Sequence, residues 1–167
     1  MTDKKLKSHR VKIDKIDKEI YALIQKRALH AVAIGKIKSK VSPKESFYKP
    51  DRETKILRNI LNANKKGLLP DSKIRAIYKE LISGCLSLEE ILKVAYLGPE
   101  ATHSEAAVHN QFGSQALRIP TSTIDDVFYQ VINDDVNLGV VPVENSSEGV
   151  INTTLNCLAD SKDINII

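Results

Sequence analysis

The sequence has no tryptophan, few aromatic residues and only two cysteines. Of its 167 residues 5% are aromatic, and no apolar run approaches the roughly 20 residues that span a bilayer. Cys85 and Cys157 lie far apart without a Cys-x-x-Cys motif, so neither a disulfide scaffold nor a zinc site is expected. The N-terminus leads into a charged segment rather than an apolar one. These features predict a globular protein of the cytoplasm that contacts no membrane.

Charge is unevenly distributed along the chain. Residues 1–92 carry 22 Lys and Arg against 11 Asp and Glu, a balance of +11, whereas residues 93–167 carry 3 against 10, a balance of −7. A shift of this size predicts two domains, 1–92 and 93–167, with different partners. The basic domain should attract an anion, which could be nucleic acid, an acidic protein or a small polycarboxylate.

The basic domain has the apolar periodicity of helices. Over residues 6–41 apolar side chains recur every three or four positions, which predicts one helix of roughly 35 residues that ends at Ser42-Pro43. Two shorter helices are predicted at 51–64 and 70–92. Because two short helices cannot cover so long an apolar stripe, we expect a second copy of the chain to cover the rest, giving an interlocked all-helical homodimer.

Three cations interrupt the apolar stripe of the first helix. Arg10, Arg27 and Lys38 occupy stripe positions, and Arg27 and Lys38 are 11 residues apart, so they point the same way. Long cations that face a core are costly unless they are paired or face a ligand. Spacing alone favours cations that reach solvent at the rim or pair with acids. Glu89, four residues after Cys85, is placed on the apolar face of the third helix, where a salt bridge is the commoner role.

Three motifs follow one another in this domain. They are Arg10-x2-Ile13-x2-Ile16-Asp17-x5-Leu23-x3-Arg27, then Gly35-Lys36-x-Lys38, then Tyr48-Lys49-Pro50-Asp51-Arg52-Glu53. In this order they resemble the all-helical chorismate mutases, over roughly residues 6–92. The resemblance implies three-helix protomers in an interlocked dimer, with two equivalent active sites that are each made by both chains.

The resemblance also implies a substrate site. Its residues would be Arg10, Arg27, Lys38, Arg52, Glu53, Cys85 and Glu89. Within this set Arg10 would come from the partner chain and Glu53 would bind the substrate hydroxyl. Lys49 falls where some members of the family have Asp, so the contact made there should differ.

The implied reaction is the intramolecular rearrangement of chorismate to prephenate in phenylalanine and aromatic amino-acid biosynthesis. It requires no metal or other cofactor. The enzyme must hold a dicarboxylate in a compact shape, which arginines do with bidentate contacts, and it must stabilise negative charge that grows on the ether oxygen. Lys38 can donate a hydrogen bond to that oxygen, whereas Glu89 can donate only when protonated. We therefore expect Arg27, Lys38 and Glu89 to be the catalytic residues.

The pattern changes at Lys93, where short β-branched runs begin to alternate with helical stretches. The predicted strands are 94–97, 116–119, 138–143 and 164–167, and the predicted helices are 104–112, 123–133 and 149–159. This alternation predicts an α/β fold with a largely parallel sheet. Ligands of such sheets bind at the carboxyl ends of the strands, where loops 98–104 and 142–149 lie. From physics alone, helix capping is the commoner role of such loops.

Two motifs in these loops carry a second resemblance. Tyr96-Leu97-Gly98-Pro99-Glu100 and Gly139-Val140-Val141-Pro142-Val143-Glu144-Asn145-Ser146-x2-Gly149 resemble prephenate dehydratase. A mutase followed by this domain is the arrangement of the bacterial bifunctional P-proteins. The resemblance implies a periplasmic-binding-protein-like first lobe, with prephenate-binding residues at Thr102, Ser104, Asn145 and Ser146. Because the family's second lobe and its catalytic Thr-Arg-Phe segment lie further on, we expect residues 93–167 to be inactive as a dehydratase by themselves.

A different class of function competes with the enzyme. A basic helical module that binds RNA or an acidic protein would place Lys and Arg on its exposed face, often with aromatic residues between them. Here three cations interrupt the apolar face, and aromatic residues are scarce. The sequence therefore favours an enzyme whose partners are chorismate, prephenate and a second copy of the chain, without nucleic acid.

Overall fold

A computed structural model describes residues 2–41, 48–146, 149–162 and 164–167. Its first part holds three helices, α1 (Thr2–Val41), α2 (Pro50–Ala63) and α3 (Asp71–Leu86), with a 3-10 turn at Asn64–Lys66 after α2. The second part runs β1 (Lys93–Leu97), α4 (His103–Phe112), β2 (Leu117–Thr121), α5 (Ile124–Ile132), β3 (Leu138–Val140), β4 (Glu144–Asn145), β5 (Gly149–Val150) and α6 (Asn152–Asp160). The predicted helical part and the predicted strand–helix alternation are confirmed.

The first helix extends well beyond the helices that cover it. Every residue from Asp3 to Lys26 is exposed, whereas Ala31 and Gly35 are buried where α1 meets α3. The apolar stripe is bare over this first stretch, with Ile16 52% exposed and Ile20 47% exposed. No described helix is both long enough and apolar enough to cross a membrane. The predicted helix end at Ser42-Pro43 lies outside the described residues.

The second and third helices pack against each other, and their connection is fixed by hydrogen bonds. Pro50 occupies the first turn of α2, where its missing N–H costs nothing, and the acidic side chains of this turn suit the positive end of the helix dipole. The side-chain amide of Asn64 donates to the carbonyl of Leu69 at 2.9 Å and to the carboxylate of Asp71 at 2.7 Å. These bonds join the end of α2 to the start of α3.

The third helix ends earlier than predicted. It stops at Leu86, and the Ser87 hydroxyl donates to the carbonyl of Gly84 at 2.9 Å across the last turn. Glu89 therefore lies in the turn after α3, and its prediction on a helix face is wrong. The apolar pattern of the sequence continues past the end of α3 because Leu92 is also buried. It lies in the core of the α/β part rather than on a helix.

The sheet of the α/β part is parallel, with strand order β2-β1-β3. Because side chains of β1 alternate between its faces, Val94 and Tyr96 pack with Val108 of α4, while Ala95 packs with Val127 of α5. Helices therefore cover both faces of the central strand. Thr123 caps α5 in a reciprocal capping box with Asp126, as the predicted helix start requires.

Three predicted elements of the α/β part need correction. The third strand ends at Val140 rather than at residue 143. Residues 149–150 form a short antiparallel pair with 144–145, so α6 begins only at Asn152. Residues 164–167 form no strand, because a β-branched run becomes a strand only where a ladder partner is available.

Candidate active site

A basic cleft of about 410 Å³ opens between α1, α2 and α3. Its lining combines charged side chains with an apolar floor. The charged and titratable residues are Arg27, His30, Lys38, Lys49, Arg52, Glu53 and Glu89. The remaining lining residues are Ala31, Ile34, Tyr48, Ile56, Ile82, Cys85 and Leu86. Four Lys and Arg side chains against two carboxylates make this basic cleft attractive to a small anion with an apolar body.

Helix α1 supplies two of the cations that line the basic cleft. Arg27 is half-buried, and its guanidinium donates to the carbonyl of Leu81 on α3 at 3.3 Å. Lys38 lies three turns further on and pairs with Glu89, with 3.2 Å between Nζ and Oε2. Both cations are thus oriented by contacts to the α3 side of the cleft, and both also line the space for a ligand.

Glu89 reaches the basic cleft because the turn after α3 comes very close to α1. Its side chain is 11% exposed. A Cβ atom added at Gly35 would lie 3.1 Å from the Glu89 Cα atom, which is tighter than ordinary van der Waals contact. The glycine in the Gly35-Lys36-x-Lys38 motif therefore permits the approach that brings Glu89 to Lys38.

Helix α2 brings Glu53 to the same space, with its carboxyl in a distinctive environment. Burial raises the pKa of Glu53 above its usual range, and the ammonium of Lys79 and a hydrogen bond from the Tyr48 hydroxyl oppose that rise. Burial likewise raises the pKa of Tyr48. The carboxylate of Glu53 is a hydrogen-bond acceptor held at the wall of the basic cleft, where it can bind a hydroxyl group of a ligand.

Six of the seven residues that the resemblance placed in a site line the same cleft. They are Arg27, Lys38, Arg52, Glu53, Cys85 and Glu89. Cys85 is buried in the floor and Arg52 is exposed at the mouth. Arg10 is exposed on α1, 17 residues before Arg27, which along a helix is about 25 Å. Arg10 therefore cannot reach the basic cleft of its own chain.

Several residues of the basic cleft carry no mark of a site in the sequence. Ile82, Leu86 and His30 line the cleft, although no motif or spacing singles them out. Tyr48 was quoted only as part of a motif, although it lines the cleft and bonds to Glu53. Its place next to Lys49 and Pro50 at the start of a predicted helix was the available signal.

The predicted dehydratase residues lie on separate loops. Thr102 caps α4, where its hydroxyl accepts from the Glu105 N–H at 3.4 Å. The Ala101 N–H donates to the Glu105 carboxylate, which lowers its pKa, and Arg118 at 3.1 Å adds to this effect. Thr102 lines a small cavity with these groups.

The other three dehydratase residues do not line that cavity. Ser104 lies in the first turn of α4 and is half-buried, while Asn145 and Ser146 are exposed at the turn that leads out of β4. Two further residues of this predicted loop, Ser147 and Glu148, lie outside the described residues. Among the described residues, no group of three or more His, Cys, Asp or Glu side chains is arranged to hold a metal ion.

Comparison with known families places both parts of the chain. Residues 9–90 match the family of chorismate mutase type II, and residues 94–167 match that of prephenate dehydratase. The helical part of the chain is thus similar to the chorismate mutases, and the α/β part is similar to the prephenate dehydratases.

The chain as a whole is similar to bifunctional chorismate mutase/prephenate dehydratases. It is 44% identical to that of Stutzerimonas stutzeri over 154 residues, which cover 90% of this chain and 42% of the relative. It is 46% identical to that of Aquifex aeolicus over 93% of this chain and 43% of the relative. It is 26% identical to that of Escherichia coli K12 over 89% of this chain and 42% of the relative. The chain therefore spans less than half the length of these relatives.

Proposed function

We propose that the basic cleft catalyses the rearrangement of chorismate to prephenate. The observation that carries this proposal is the joint placement of four Lys and Arg side chains, two carboxylates and an apolar floor in one cleft. Chorismate is a dicarboxylate with an apolar ring and a hydroxyl group, so each feature has a counterpart. The family match of residues 9–90 supports the same reaction.

The proposed roles follow from the chemistry of each side chain. Arg27 and Arg52 bind carboxylates, since a guanidinium matches a carboxylate with two parallel hydrogen bonds. Lys38 donates to the ether oxygen, whose carbon–oxygen bond breaks while a carbon–carbon bond forms in the same molecule. Glu53 accepts the hydroxyl group of the substrate. Glu89 orients Lys38 in the free protein, and it donates to the ether oxygen itself only when protonated.

The proposal includes a homodimer. The apolar stripe of α1 is exposed from Leu6 to Ile24, and a surface of this kind marks an interaction site. A second copy of α1 is the partner with a matching stripe, as in other closed symmetric assemblies. Arg10 lies on this stretch, too far along α1 to serve its own cleft, so the partner's cleft is where it acts.

Turnover of chorismate by the purified chain tests the mutase proposal. We expect loss of chorismate and appearance of prephenate without added metal or cofactor. Arg27→Ala should lower kcat/KM by a factor corresponding to several kcal/mol of transition-state stabilisation, because a partly buried charged contact is removed. Lys55→Ala is the control, since Lys55 is exposed on α2 and does not line the basic cleft. Equal loss in both variants, or none in Arg27→Ala, would contradict the assignment.

Mixing two inactive variants tests the shared site. Arg10→Ala and Arg27→Ala should each be inactive alone and should regain part of the activity when unfolded and refolded together, because some mixed dimers then hold one intact site. A folded, active monomer in analytical ultracentrifugation would refute the dimer.

For the α/β part we propose a role in the conversion of prephenate to phenylpyruvate. The match of residues 94–167 to prephenate dehydratase supports it, as does the position of residues 98–104 after β1 and 142–146 after β3, where parallel sheets bind ligands. Thr102, Ser104, Asn145 and Ser146 are the proposed prephenate contacts. A saturable component of prephenate binding that persists in Arg27→Ala and is weakened by Asn145→Ala would support a second site apart from the basic cleft.

A further inference from the structure

The end of α4 is fastened to the outer side of α3, the helix that carries part of the basic cleft. Lys79 donates to the carbonyl of Asn110. The Glu80 carboxylate accepts from the Ser114 hydroxyl at 2.5 Å, and the Ser83 hydroxyl accepts from the Gln115 N–H at 3.3 Å. We call this set of contacts the α3–α4 joint; it links the dehydratase-like part to the mutase-like part.

Gly113 shows how close the approach at the α3–α4 joint is. It adopts φ +78°, and a Cβ atom added there would lie 2.6 Å from the Cβ atom of Ser83. Both the backbone conformation and the space therefore require glycine. The two parts of the chain meet here in a packed contact rather than through a loose linker.

Tyr48 connects the α3–α4 joint to the basic cleft. It is 6% exposed and belongs to the same buried cluster as Val94 and Val108 of the α/β part. Its ring packs edge-on against Phe112 of α4, with 5.3 Å between ring centres and 71° between ring planes. Tyr48 also lines the basic cleft, together with Lys49 and Glu53.

The Tyr48 hydroxyl accepts one hydrogen bond and donates another. The side-chain amide of Gln111 on α4 donates to the hydroxyl oxygen of Tyr48 at 3.4 Å. An amide NH₂ group is only a donor, so the hydroxyl oxygen serves as acceptor there and its proton is left for another partner. That partner is Glu53, whose carboxyl pKa is lowered by the hydrogen bond from Tyr48.

We propose that Tyr48 is a positioning residue of the mutase site, held in place by Gln111 and Phe112 of α4. Part of the dehydratase-like segment would then support the mutase reaction, although residues 9–90 alone match the mutase family. The inference rests on the proposed function, in which Glu53 binds the substrate hydroxyl. Tyr48 fixes the Glu53 side chain and favours its ionised, hydrogen-bond-accepting form.

Tyr48→Phe tests this directly because it keeps the ring in the cluster and removes only the hydroxyl. We expect kcat/KM for chorismate to fall about tenfold, mainly through KM, the change expected when one hydrogen bond to a charged group is lost. The acid limb of the kcat/KM profile should move to higher pH, since the pKa of Glu53 rises without its donor.

The other charged groups around Glu53 are common to both proteins. They are Arg27, His30 and Lys38 from α1, Lys49 from the segment before α2, Arg52 and Arg58 from α2, Arg75 and Lys79 from α3, and Glu89 from the turn after α3. A difference between the two pH profiles therefore reports the hydroxyl of Tyr48.

Gln111→Ala tests the part played by α4, with Asn110→Ala as its control on the same helix. The Asn110 side chain is exposed, and the α3–α4 joint uses only its backbone carbonyl. Gln111→Ala should shift KM and the acid limb in the same direction as Tyr48→Phe, by a smaller factor, while Asn110→Ala leaves both unchanged. A lower Tm with unchanged KM and pH profile would show a merely structural role and overturn the inference.

An NMR titration of the Glu53 side-chain carboxyl in ¹³C-labelled protein separates this inference from the proposed function. If the parent turned over no chorismate, the proposed function would fail and Tyr48 would have no mutase site to position. The titration would still show whether Tyr48 and α4 act on Glu53. A higher Glu53 pKa in Tyr48→Phe and in Gln111→Ala supports the link, and unchanged values refute it.

Discussion

Replacement of Gly35 by alanine isolates the close approach that brings Glu89 into the basic cleft. The added Cβ atom would lie 3.1 Å from the Cα atom and 3.2 Å from the Cβ atom of Glu89. Carbon atoms in contact prefer about 3.5–4.0 Å, so the turn after α3 must move outward by roughly 0.5 Å. The ion pair between Lys38 Nζ and Glu89 Oε2, which are 3.2 Å apart, would lose its present geometry.

Two opposing terms set the stability of Gly35→Ala. Alanine in a helix interior is favoured over glycine by about 0.5–1 kcal/mol, whereas an overpacked contact costs about 1–3 kcal/mol. The free energy of unfolding should therefore fall only slightly, by about 1 kcal/mol. The effect on catalysis should be larger, because a displacement of about 1 Å can cost about 100-fold in rate and half of it costs about tenfold.

Gly84→Ala is the matched control for this prediction. Gly84 also lies inside a helix, but no atom comes within 4 Å of an added Cβ atom. This variant should gain about 0.5–1 kcal/mol of stability and keep the parent's kcat/KM. Denaturant unfolding and chorismate turnover measure both quantities for the two variants. If Gly35→Ala kept the parent's kcat/KM, or if Gly84→Ala lost as much, the reasoning from the close approach would fail.

Three further substitutions probe charge and packing. Glu53→Gln should weaken catalysis yet stabilise the fold at neutral pH. Because burial raises the pKa of Glu53, the parent loses stability as pH rises through that pKa, and the variant does not. The gain in free energy of unfolding, measured with urea, should therefore vanish at acid pH. Glu89→Gln replaces the carboxylate that pairs with Lys38 by a neutral amide that can donate a hydrogen bond to the substrate, so chorismate turnover should be kept or increased; a loss of turnover would show that pairing with Lys38 is the role of Glu89. Gly113→Ala should destabilise the protein by about 1–3 kcal/mol in thermal unfolding, with an unchanged Tm refuting the packed contact with Ser83.

Local periodicity predicted most of the helical part. The spacing that placed Arg27 and Lys38 on one side of α1 is a property of helix geometry, and both side chains do line the basic cleft. Spacing alone favoured paired or rim cations over ligand-facing ones. Both descriptions hold in part, because Lys38 pairs with Glu89 while it also lines the cleft.

The predicted location of Glu89 on a helix is wrong, although its side chain does line the basic cleft. The sequence placed it on a helix face, four residues after Cys85, but α3 ends at Leu86. Helix ends depend on hydrogen bonds such as that of Ser87 to Gly84, and on where the chain must turn to begin β1. The residue still reaches the basic cleft, because Gly35 admits the turn that carries it.

Contacts between distant segments left no local signal in the sequence. Tyr48 meets Gln111 and Phe112, which lie more than 60 residues further along the chain. No periodicity links such positions, and the drop in charge at residue 93 suggested two domains with separate partners. The α3–α4 joint has its own hydrogen bonds across that predicted boundary.

The proposed homodimer would account for two features of α1 together, its exposed apolar stripe and the position of Arg10. Within a single chain, the stretch around Ile16 and Ile20 is exposed, and Arg10 lies about 25 Å along the helix from Arg27. In the proposed dimer, a second α1 that covers this stripe would also bring its own Arg10 to the first cleft. Dimerisation and catalysis should therefore share one concentration dependence. Dilution that dissociates the dimer should abolish chorismate turnover in step with the loss of dimer, and a polar substitution such as Ile16→Asp should remove both together.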